Sequence, residues 1–572
     1  MLTGCGLPQA WRQQQAWRIL DSDFGRGLQF FRTLQAWKNT PLRPRLLHYV
    51  ALSLAPPSMD DLLADLAGDP ELRELAQELL PEWTGLLPGF HRLSFQGGQA
   101  LLTLCVGESM AMLREQQFFA DSVFLRAAGT GPAGAQPWSI WSVKALARCC
   151  RRGTRLAVAA DAPVLQADLT QCGFEIQALP NDTPSGSYQA EFNPRWTIKT
   201  TRQHSISHPV AIGSCAVIGA GLAGASVAAA LARRGWRVQV LDQGAEPALG
   251  ASGLPVGLVV PHVSADDCTL SRLSRAGVRM MLQQARSLLR QGQDWELSGT
   301  RERQLDGTPD LPDIWHAQAA WLKPGQLVQR WLAQPGVTFQ GNARVADLRQ
   351  KQNQWELLDA LGQPLACVDR VVLANAGGAL PLLARVQASL PALGIRPEQL
   401  PTLHGVRGQL SWAMHDGNQE DLFPSHPVNG SGSVIPAIPM GSGSAWFVGS
   451  TYQPDQLTPL PDERNHQSNL QRLLRLCPTL GQALAKRFAE GSVQAWKNTR
   501  CVSADRLPVV GPLYQADNPG LWLCAAMGSR GLSFSVLCAE LLAAQWGGEP
   551  MPVDAGLARS LQAFRGESPR IK

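Results

Sequence analysis

The 572-residue chain has no apolar run approaching the ~20 residues a helix needs to cross a bilayer. Its first residues, MLTGCGLPQAW, lack the basic and apolar regions of a secretory signal. Together these absences make a cytoplasmic protein without a membrane partner the expectation. No C-x-x-C and no H-E-x-x-H occurs among its 12 cysteines and 10 histidines, so no metal is assigned. Scattered cysteines without a framework are expected to be buried free thiols in a reducing compartment. There is no internal repeat and no aromatic RNA-binding box. Charge is sparse as well: 17% charged against 45% hydrophobic residues describes globular domains rather than a disordered chain. The formal net charge of +5 admits a phosphate-rich partner without demanding one. The length allows about two to four domains.

What is present is concentrated in Cys215–Asp242, CAVIGAGLAGASVAAALARRGWRVQVLD. An apolar strand ends in Gly219, Gly221 and Gly224, spaced G-x-G-x-x-G. An Ala-rich helical segment follows, and a second apolar strand ends in Asp242. In such a unit the first glycine permits the strand-to-helix turn, the second lets backbone approach a pyrophosphate, and the third lets helix pack on strand. The helix N-terminus offers free N–H groups to phosphate, and the acid accepts from ribose hydroxyls. Strand, glycines, helix, strand and acid in this order predict a dinucleotide site.

Further stretches separate a flavin from a nicotinamide cofactor. Gly250–Val263 is a small-residue loop leading into a strand, with Ser252 as a candidate cofactor contact. Arg370–Gly378 (RVVLANAGG) reads as a strand ending in small residues, and Gly430–Ser444 as Gly/Ser-rich turns around a short strand. Arg500–Gly511 and Leu521–Gln545 give a strand, a Gly-Ser-Arg-Gly loop and a helix. A helix N-terminus at that loop would stabilise a reduced, anionic flavin, placing Gly528, Ser529, Gly531 and Leu532 at the cofactor.

These residues resemble the FAD-dependent amine oxidases of the glycine oxidase and D-amino-acid oxidase type. Met527–Leu532 (MGSRGL), LCAELLAAQ after it, Val406–Leu410 (VRGQL) and Gly449–Tyr452 (GSTY) resemble, more narrowly, the second domain of the bifunctional tRNA 5-methylaminomethyl-2-thiouridine biosynthesis family. The resemblance implies FAD-dependent oxidation of a carboxymethylaminomethyl group on the wobble uridine of tRNA. The imine hydrolyses, glyoxylate leaves, aminomethyluridine remains, and oxygen reoxidises the flavin. A substrate carboxylate calls for a bidentate arginine; the candidates are Arg530, then Arg407 and Arg500. His262 and Tyr452 could line the cavity, although packed core roles are expected for both.

The first 180 residues alternate strand and helix. Arg45–Ser53, Gln99–Cys105, Ser122–Leu125 and Arg155–Ala159 read as strands, Asp60–Leu80 and Trp138–Cys150 as helices, which predicts an α/β domain with a largely parallel sheet. Trp17–Phe30 (WRILDSDFGRGLQF) resembles the S-adenosylmethionine loop of the same bifunctional family, whose pattern is acid-x-G-F-G-x-G-L-N-F; Leu7–Trp11 and Leu86–Leu93 support the match. The family's pattern continues ahead of Leu7–Trp11, so the resemblance implies a short N-terminus here. Gly25, Gly27 and Glu108 are the expected contacts to S-adenosylmethionine. The departures are Asp23 for the first loop glycine, Ser53 for the ribose-binding acid, and Arg126 for the acid beside the reacting amine, where the following Lys-Asn is also missing. Two readings stay open: a working methyltransferase with unusual residues, or a fold kept for structure or tRNA docking with methyl transfer lost, which the combined losses favour.

The expected organisation is therefore an α/β protein in two parts: a Rossmann-like methyltransferase fold over 1–180, a linker over 181–212, and an FAD-binding Rossmann domain of the glycine/D-amino-acid oxidase type over 213–572. Five basic groups, Arg43–Arg45, Arg148–Arg152, Arg195–Arg202, Arg233–Arg237 and Lys497–Arg500, could make a tRNA phosphate track if they share a face. The rivals are a free glycine- or sarcosine-type oxidase and a tRNA-binding scaffold without catalysis.

Overall fold

The eight strands that open the chain form one sheet in the order 89–95, 100–106, 46–53, 16–21, 120–126, 150–159, 188–192, 174–178. The computed structural model describes all residues except 127–137, 160–162, 179–187, 197–208, 305–311, 391–396, 418–419, 456, 514–519 and 566–572. It divides into two units: residues 1–211 with 540–558, and residues 212–539 with 559–572.

In the first unit the central pairings are parallel, between Ala16–Asp21 and Leu46–Ser53, Ala16–Asp21 and Ala120–Arg126, Leu46–Ser53 and Ala100–Val106, and Ala120–Arg126 and Cys150–Ala159. Leu46–Ser53 is buried at every position, as a strand covered on both faces must be. On one face Phe30, Phe31, Leu34 and Trp37 of helix Leu28–Lys38 join Tyr49 and Phe95 in an aromatic core. Each such side chain contributes about 1.5–3 kcal/mol by leaving water. The helix expected over Asp60–Leu80 is two helices, Met59–Asp65 and Pro70–Gln77. Asp69 ends the first reach and caps the second, its Oδ1 accepting from the Glu71 and Leu72 amides, with Pro70 fixing the first helical φ.

The stretch expected to be a linker, 181–212, contains a strand, and its residues up to 211 group with the first unit. Tyr188–Phe192 is a strand, antiparallel to both Cys150–Ala159 and Phe174–Ala178, with Tyr188, Ala190 and Phe192 buried and Gln189 and Glu191 more exposed. Its YQAEF alternation has the two-residue period of a strand with one face on the core, and five residues inside a polar stretch are easily passed over. Residues 181–187 and 197–208 of that stretch lie outside the described residues.

The second unit carries a six-stranded sheet in the order 337–340, 237–241, 214–218, 370–373, 521–525, 509–512. Ser214–Ile218 is parallel to Arg237–Leu241 on one side and to Arg370–Leu373 on the other, so the loops after all three leave one edge of the sheet. A second sheet is built around the long antiparallel pairing of Leu403–Met414 with Gln494–Ser503 and Gly443–Gly449. The expected turns around a short strand at Gly430–Ser444 hold one nine-residue strand, Gly432–Met440, which turns into Gly443–Gly449 to make an antiparallel hairpin. Of the twelve cysteines, eight are buried and Cys367 is exposed, so the buried-thiol expectation holds for most but not all.

Candidate active site

The three glycines of the second unit are required by contact rather than by flexibility alone. Gly219 has φ +109°, and a Cβ there would lie 2.7 Å from the Ala374 carbonyl oxygen of the neighbouring strand's loop. A Cβ on Gly224 would lie 1.8 Å from the Gly219 carbonyl oxygen, so helix and strand pack at this distance only through glycine. A Cβ on Gly221 would lie 2.9 Å from Ser252 Oγ. That hydroxyl accepts from the Leu222 amide at 2.9 Å and caps helix Leu222–Arg233 from a distant loop. Asp242 closes the strand after the helix; its Oδ2 accepts from the Ala220 amide and its Oδ1 from the Gly244 amide, at 2.7 and 2.8 Å.

One cavity of about 1290 Å³ joins these residues to the C-terminal loop: Gly219, Gly221, Asp242 and Ser252 line it together with Gly528, Ser529, Arg530, Gly531 and Leu532. Its volume exceeds the 300–1,000 Å³ typical of drug-sized ligands. Gly528–Arg530 is a single 3₁₀ turn leading directly into helix Gly531–Gly547. Asn375 also lines the cavity, and its buried Oδ1 has no hydrogen-bond partner among the described residues.

The three arginine candidates separate. Arg530 lines the cavity; burial first, then Arg506, pull its pKa down, opposed by the negative charge of Glu302. Arg500 also lines it but is committed: Nη1 donates to Ser529 Oγ at 3.1 Å, and Nη2 to Ser450 Oγ at 3.2 Å and the Thr451 carbonyl at 2.9 Å. Arg407 is not among the lining residues. Its Nη2 donates to the carbonyls of Pro454, Asp455 and Leu457, so it braces that loop. His262 and Tyr452, expected in the core, both line the cavity, and Tyr452 is 51% exposed with its ring 5.8 Å from the Arg500 guanidinium. The His262 ring meets Ser271 Oγ at 2.9 Å, and burial followed by Arg530 lowers its pKa.

Sequence reasoning passed over Glu302, His316 and Asn375. Glu302 lines the cavity and meets His316 Nε2 at 2.6 Å. Asn375 stands at the end of the RVVLANAGG strand that was legible, and a polar residue among small ones was the available signal. Nothing comparable marks Glu302, which the fold brings from far along the chain.

In the first unit the glycine loop is occupied by its own side chains. Asp21 closes strand Ala16–Asp21, is fully buried, and has its carboxyl pushed up to about 6, chiefly by burial. Tyr49 donates its hydroxyl to Asp21, whose Oδ1 accepts from the Asp23 amide at 3.1 Å. Asp23 Oδ1 accepts from the Gly25 amide at 3.0 Å. Gly25 and Gly27 have φ +54° and +82°, as a tight loop requires, but a Cβ on Gly25 would meet Arg126 Nη1 at 3.2 Å. Ser53 does end the next strand. Glu108 is a helix cap: its two oxygens accept from the Met110 and Ala111 amides at 2.9 and 2.7 Å. The loop after Arg126 lies outside the described residues.

The chain belongs to the FAD dependent oxidoreductases, whose family model matches residues 214–302 and 280–545, and to a bifunctional branch in which this domain is joined to a second one. An S-adenosyl-L-methionine-dependent methyltransferase model matches residues 70–182. Among its relatives is the "tRNA 5-methylaminomethyl-2-thiouridine biosynthesis bifunctional protein MnmC" of Albidiferax ferrireducens, 63% identical over 98% of this chain and 95% of that one. A protein of the same name from Polaromonas sp. is 46% identical over 99% of this chain and 93% of its own. Among solved structures, glycine oxidase from Geobacillus kaustophilus is similar with a TM-score of 0.49 at 17% identity, covering 62% of this chain and 99% of that one. Among the described residues no helix is long and apolar enough to cross a membrane.

Proposed function

We propose that this chain modifies the wobble uridine of tRNA, removing the carboxymethyl group of 5-carboxymethylaminomethyl(-2-thio)uridine by FAD-dependent oxidation and leaving 5-aminomethyluridine. The observation that carries the proposal is the end-to-end likeness to the bifunctional relatives, both domains included. A free amino-acid oxidase would leave the first unit without a role.

The residues present fit FAD. Gly219, Gly221 and Gly224 leave a floor without side chains at the N-terminus of helix Leu222–Arg233, which suits a pyrophosphate. Each Asp242 oxygen accepts one backbone N–H and keeps a lone pair for a ribose hydroxyl. Asn375 Oδ1 is a buried acceptor awaiting a donor. The N-terminus of helix Gly531–Gly547 directs its dipole to the Gly528–Leu532 side of the cavity, where a flavin's pyrimidine edge would be stabilised. When bound, FAD supplies the two-electron acceptor for oxidation of the C–N bond, and hydrolysis of the imine yields a primary amine and a 2-oxo acid.

Arg530 receives the substrate carboxylate: it lines the cavity, and burial strengthens its hold on an anion. Arg500 fixes the cavity wall by tying Ser529 to the Ser450–Thr451 loop. His262 is held by Ser271 and disfavoured as a cation, so it offers a neutral polar face.

For S-adenosylmethionine the fit is partial. Gly25 and Gly27 keep the loop, and each Glu108 oxygen accepts one backbone N–H and keeps a lone pair, as Asp242 does, but Ser53 gives the ribose no carboxylate, and the Arg126 guanidinium and Asp23 carboxylate are set into the loop itself. The methyltransferase domain is then a fold with a docking role. In it Arg152 donates to Asn193 Oδ1 at 2.9 Å and to the Trp196 carbonyl at 3.5 Å, next in sequence to Arg195 and to a half-exposed Trp196; the rest of the Arg195–Arg202 group lies outside the described residues. Cations beside an exposed aromatic suit RNA phosphates and an unpaired base. By contrast, Lys497 pairs with Asp462 and Arg43 lies over Trp37.

The test is mass spectrometry of the wobble nucleoside after incubating the protein with tRNA bearing carboxymethylaminomethyluridine, with and without S-adenosylmethionine. Aminomethyluridine in both cases is expected. Methylaminomethyluridine appearing with S-adenosylmethionine would return methyl transfer to the first unit. Unchanged tRNA together with oxidation of free glycine or sarcosine would overturn the tRNA reading, and a protein that takes up no flavin would leave only the scaffold.

A further inference from the structure

Among the described residues, two carboxylates, Asp242 and Glu302, line the cavity of the second unit, together with several arginines. Asp242 is engaged by backbone amides beside the glycine loop. Glu302 is placed differently. It ends the short strand Thr300–Glu302, antiparallel to Ile314–His316 with Thr300 opposite His316 and Glu302 opposite Ile314. Glu302 and His316 are therefore diagonal neighbours on one face of the pair, within reach of long side chains. His316 is buried at 6% exposure and holds Glu302 Oε2 at 2.6 Å. The Glu302 side chain keeps 33% of its surface exposed and lines the cavity.

A glutamate serving only as the partner of a buried histidine would not need to line the cavity. Here His316 fixes one oxygen, and among the described residues none hydrogen-bonds the other. Glu302 also interacts electrostatically with His262 and Arg530, which line the same cavity. The hydrogen bond with His316, outweighing the opposing effect of burial, holds the Glu302 carboxyl below the ordinary carboxylate range, so the group stays anionic near neutral pH.

We propose that Glu302 is the cation-binding group of this cavity and that, with Arg530, it selects a zwitterionic N-substituted glycine unit, the amine nitrogen facing Glu302 and the carboxylate facing Arg530. This rests on the reading of the cavity as a flavin-dependent amine oxidase site, and it adds a recognition element for the nitrogen. The nitrogen is cationic in the bound ammonium form, must release one proton to solvent before the C–N bond is oxidised, and is cationic again in the iminium product, so a fixed carboxylate serves both charged forms. His316 is a positioning residue that sets the carboxylate's direction.

The experiment compares two ligands of one shape that differ in charge: trimethylglycine, with a quaternary ammonium, and 3,3-dimethylbutanoate, with carbon in its place. Neither needs tRNA. Calorimetric titration into the full-length flavoprotein is expected to give trimethylglycine a ~5–10-fold advantage, as a partly exposed charge contact provides. Glu302→Gln removes that advantage and leaves 3,3-dimethylbutanoate within ~2-fold of wild type, whereas Arg530→Ala weakens both ligands. His316→Gln retains the negative charge and lowers the advantage only in part. Equal affinity for the two ligands in the wild type, or an equal loss of both in Glu302→Gln, overturns the proposal. Visible absorbance of the same samples separates the two levels: a colourless wild-type protein overturns the oxidase reading and this proposal with it, whereas a yellow wild type without a charge preference overturns only the role of Glu302.

Discussion

Both units contain a parallel strand, a glycine-bearing loop, a helix and a second parallel strand, yet the two loops have opposite contents. In the second unit the floor is Gly219, Gly221 and Gly224, and the second strand is followed by Asp242. In the first unit the corresponding places hold Asp23, Gly25 and Gly27, and the second strand ends in Ser53. The backbone retains its form: Gly25 and Gly27 still take positive φ. What changes is the volume and charge set into the loop by Asp23 and Arg126. A nucleotide-binding fold can thus keep its packed core, here Phe30, Phe31, Trp37 and Tyr49, while its cofactor face is remade, because the two depend on different residues.

The largest effect expected from this contrast is at the glycines themselves. Gly219→Ala must relieve a Cβ set 2.7 Å from backbone oxygen at φ +109°, and nothing nearby is the end of a flexible side chain. The variant is expected to purify without FAD, read as loss of visible absorbance. Gly25→Ala meets only the tip of Arg126 at 3.2 Å, at φ +54°. It is expected to destabilise the first unit by about 1–2 kcal/mol of left-handed strain, measured by denaturant unfolding. Equal outcomes at the two positions would end the comparison.

Next in size is Asp21. Its folded carboxyl titrates at about 6 against 3.8 when free, so between those values the native state binds a proton that the unfolded chain has lost. Stability is therefore fuller below pH 4 and declines as pH rises to about 6, by about 3 kcal/mol for a shift of this size. Asp21→Asn keeps one acceptor oxygen, for the Asp23 amide, and turns its NH2 toward the Tyr49 hydroxyl, which can accept from it. It is expected to raise the stability of the first unit at pH 7 by up to about 3 kcal/mol and to flatten the pH dependence between 4 and 6, followed by urea unfolding at several pH values. A destabilised variant would show that the ionised carboxylate is held by more than Tyr49 and Arg126.

How much of this was legible in the chain depends on whether the signal was local. The Gly219–Asp242 unit could be read because all its parts fall within one stretch of strand, helix and strand. The strands of the first unit were legible for the same reason. Tyr188–Phe192 was not, since its role depends on pairing with Cys150–Ala159 and Phe174–Ala178 rather than on strong hydrophobicity. Among the arginines, sequence could supply the residue type but not the direction of the side chain. Arg530 enters the cavity, Arg407 turns to three carbonyls, and Arg500 is divided between cavity and scaffold. Glu302 had no motif at all, because its significance comes from His316 and Arg530, which only the fold brings near.

The smallest expected effect tests how the open loop is held open. A helix usually takes its first cap from the residue before it, but Gly221 has no side chain to offer. Ser252, thirty positions later in the chain, supplies the hydroxyl at 2.9 Å to the Leu222 amide instead. Helix Leu28–Lys38 of the first unit follows Gly27 and has no side-chain cap. Ser252→Ala should thus cost about 1 kcal/mol and weaken FAD retention a few-fold, measured by flavin release on dilution. The same hydroxyl lies 2.9 Å from where a Gly221 Cβ would sit, so Gly221→Ala is expected to be less harmful in the Ser252→Ala background than in the wild type. That coupling is what a double-mutant cycle isolates. Additive costs would mean that Gly221 is kept free for the ligand alone and that Ser252 plays no part in shaping the floor.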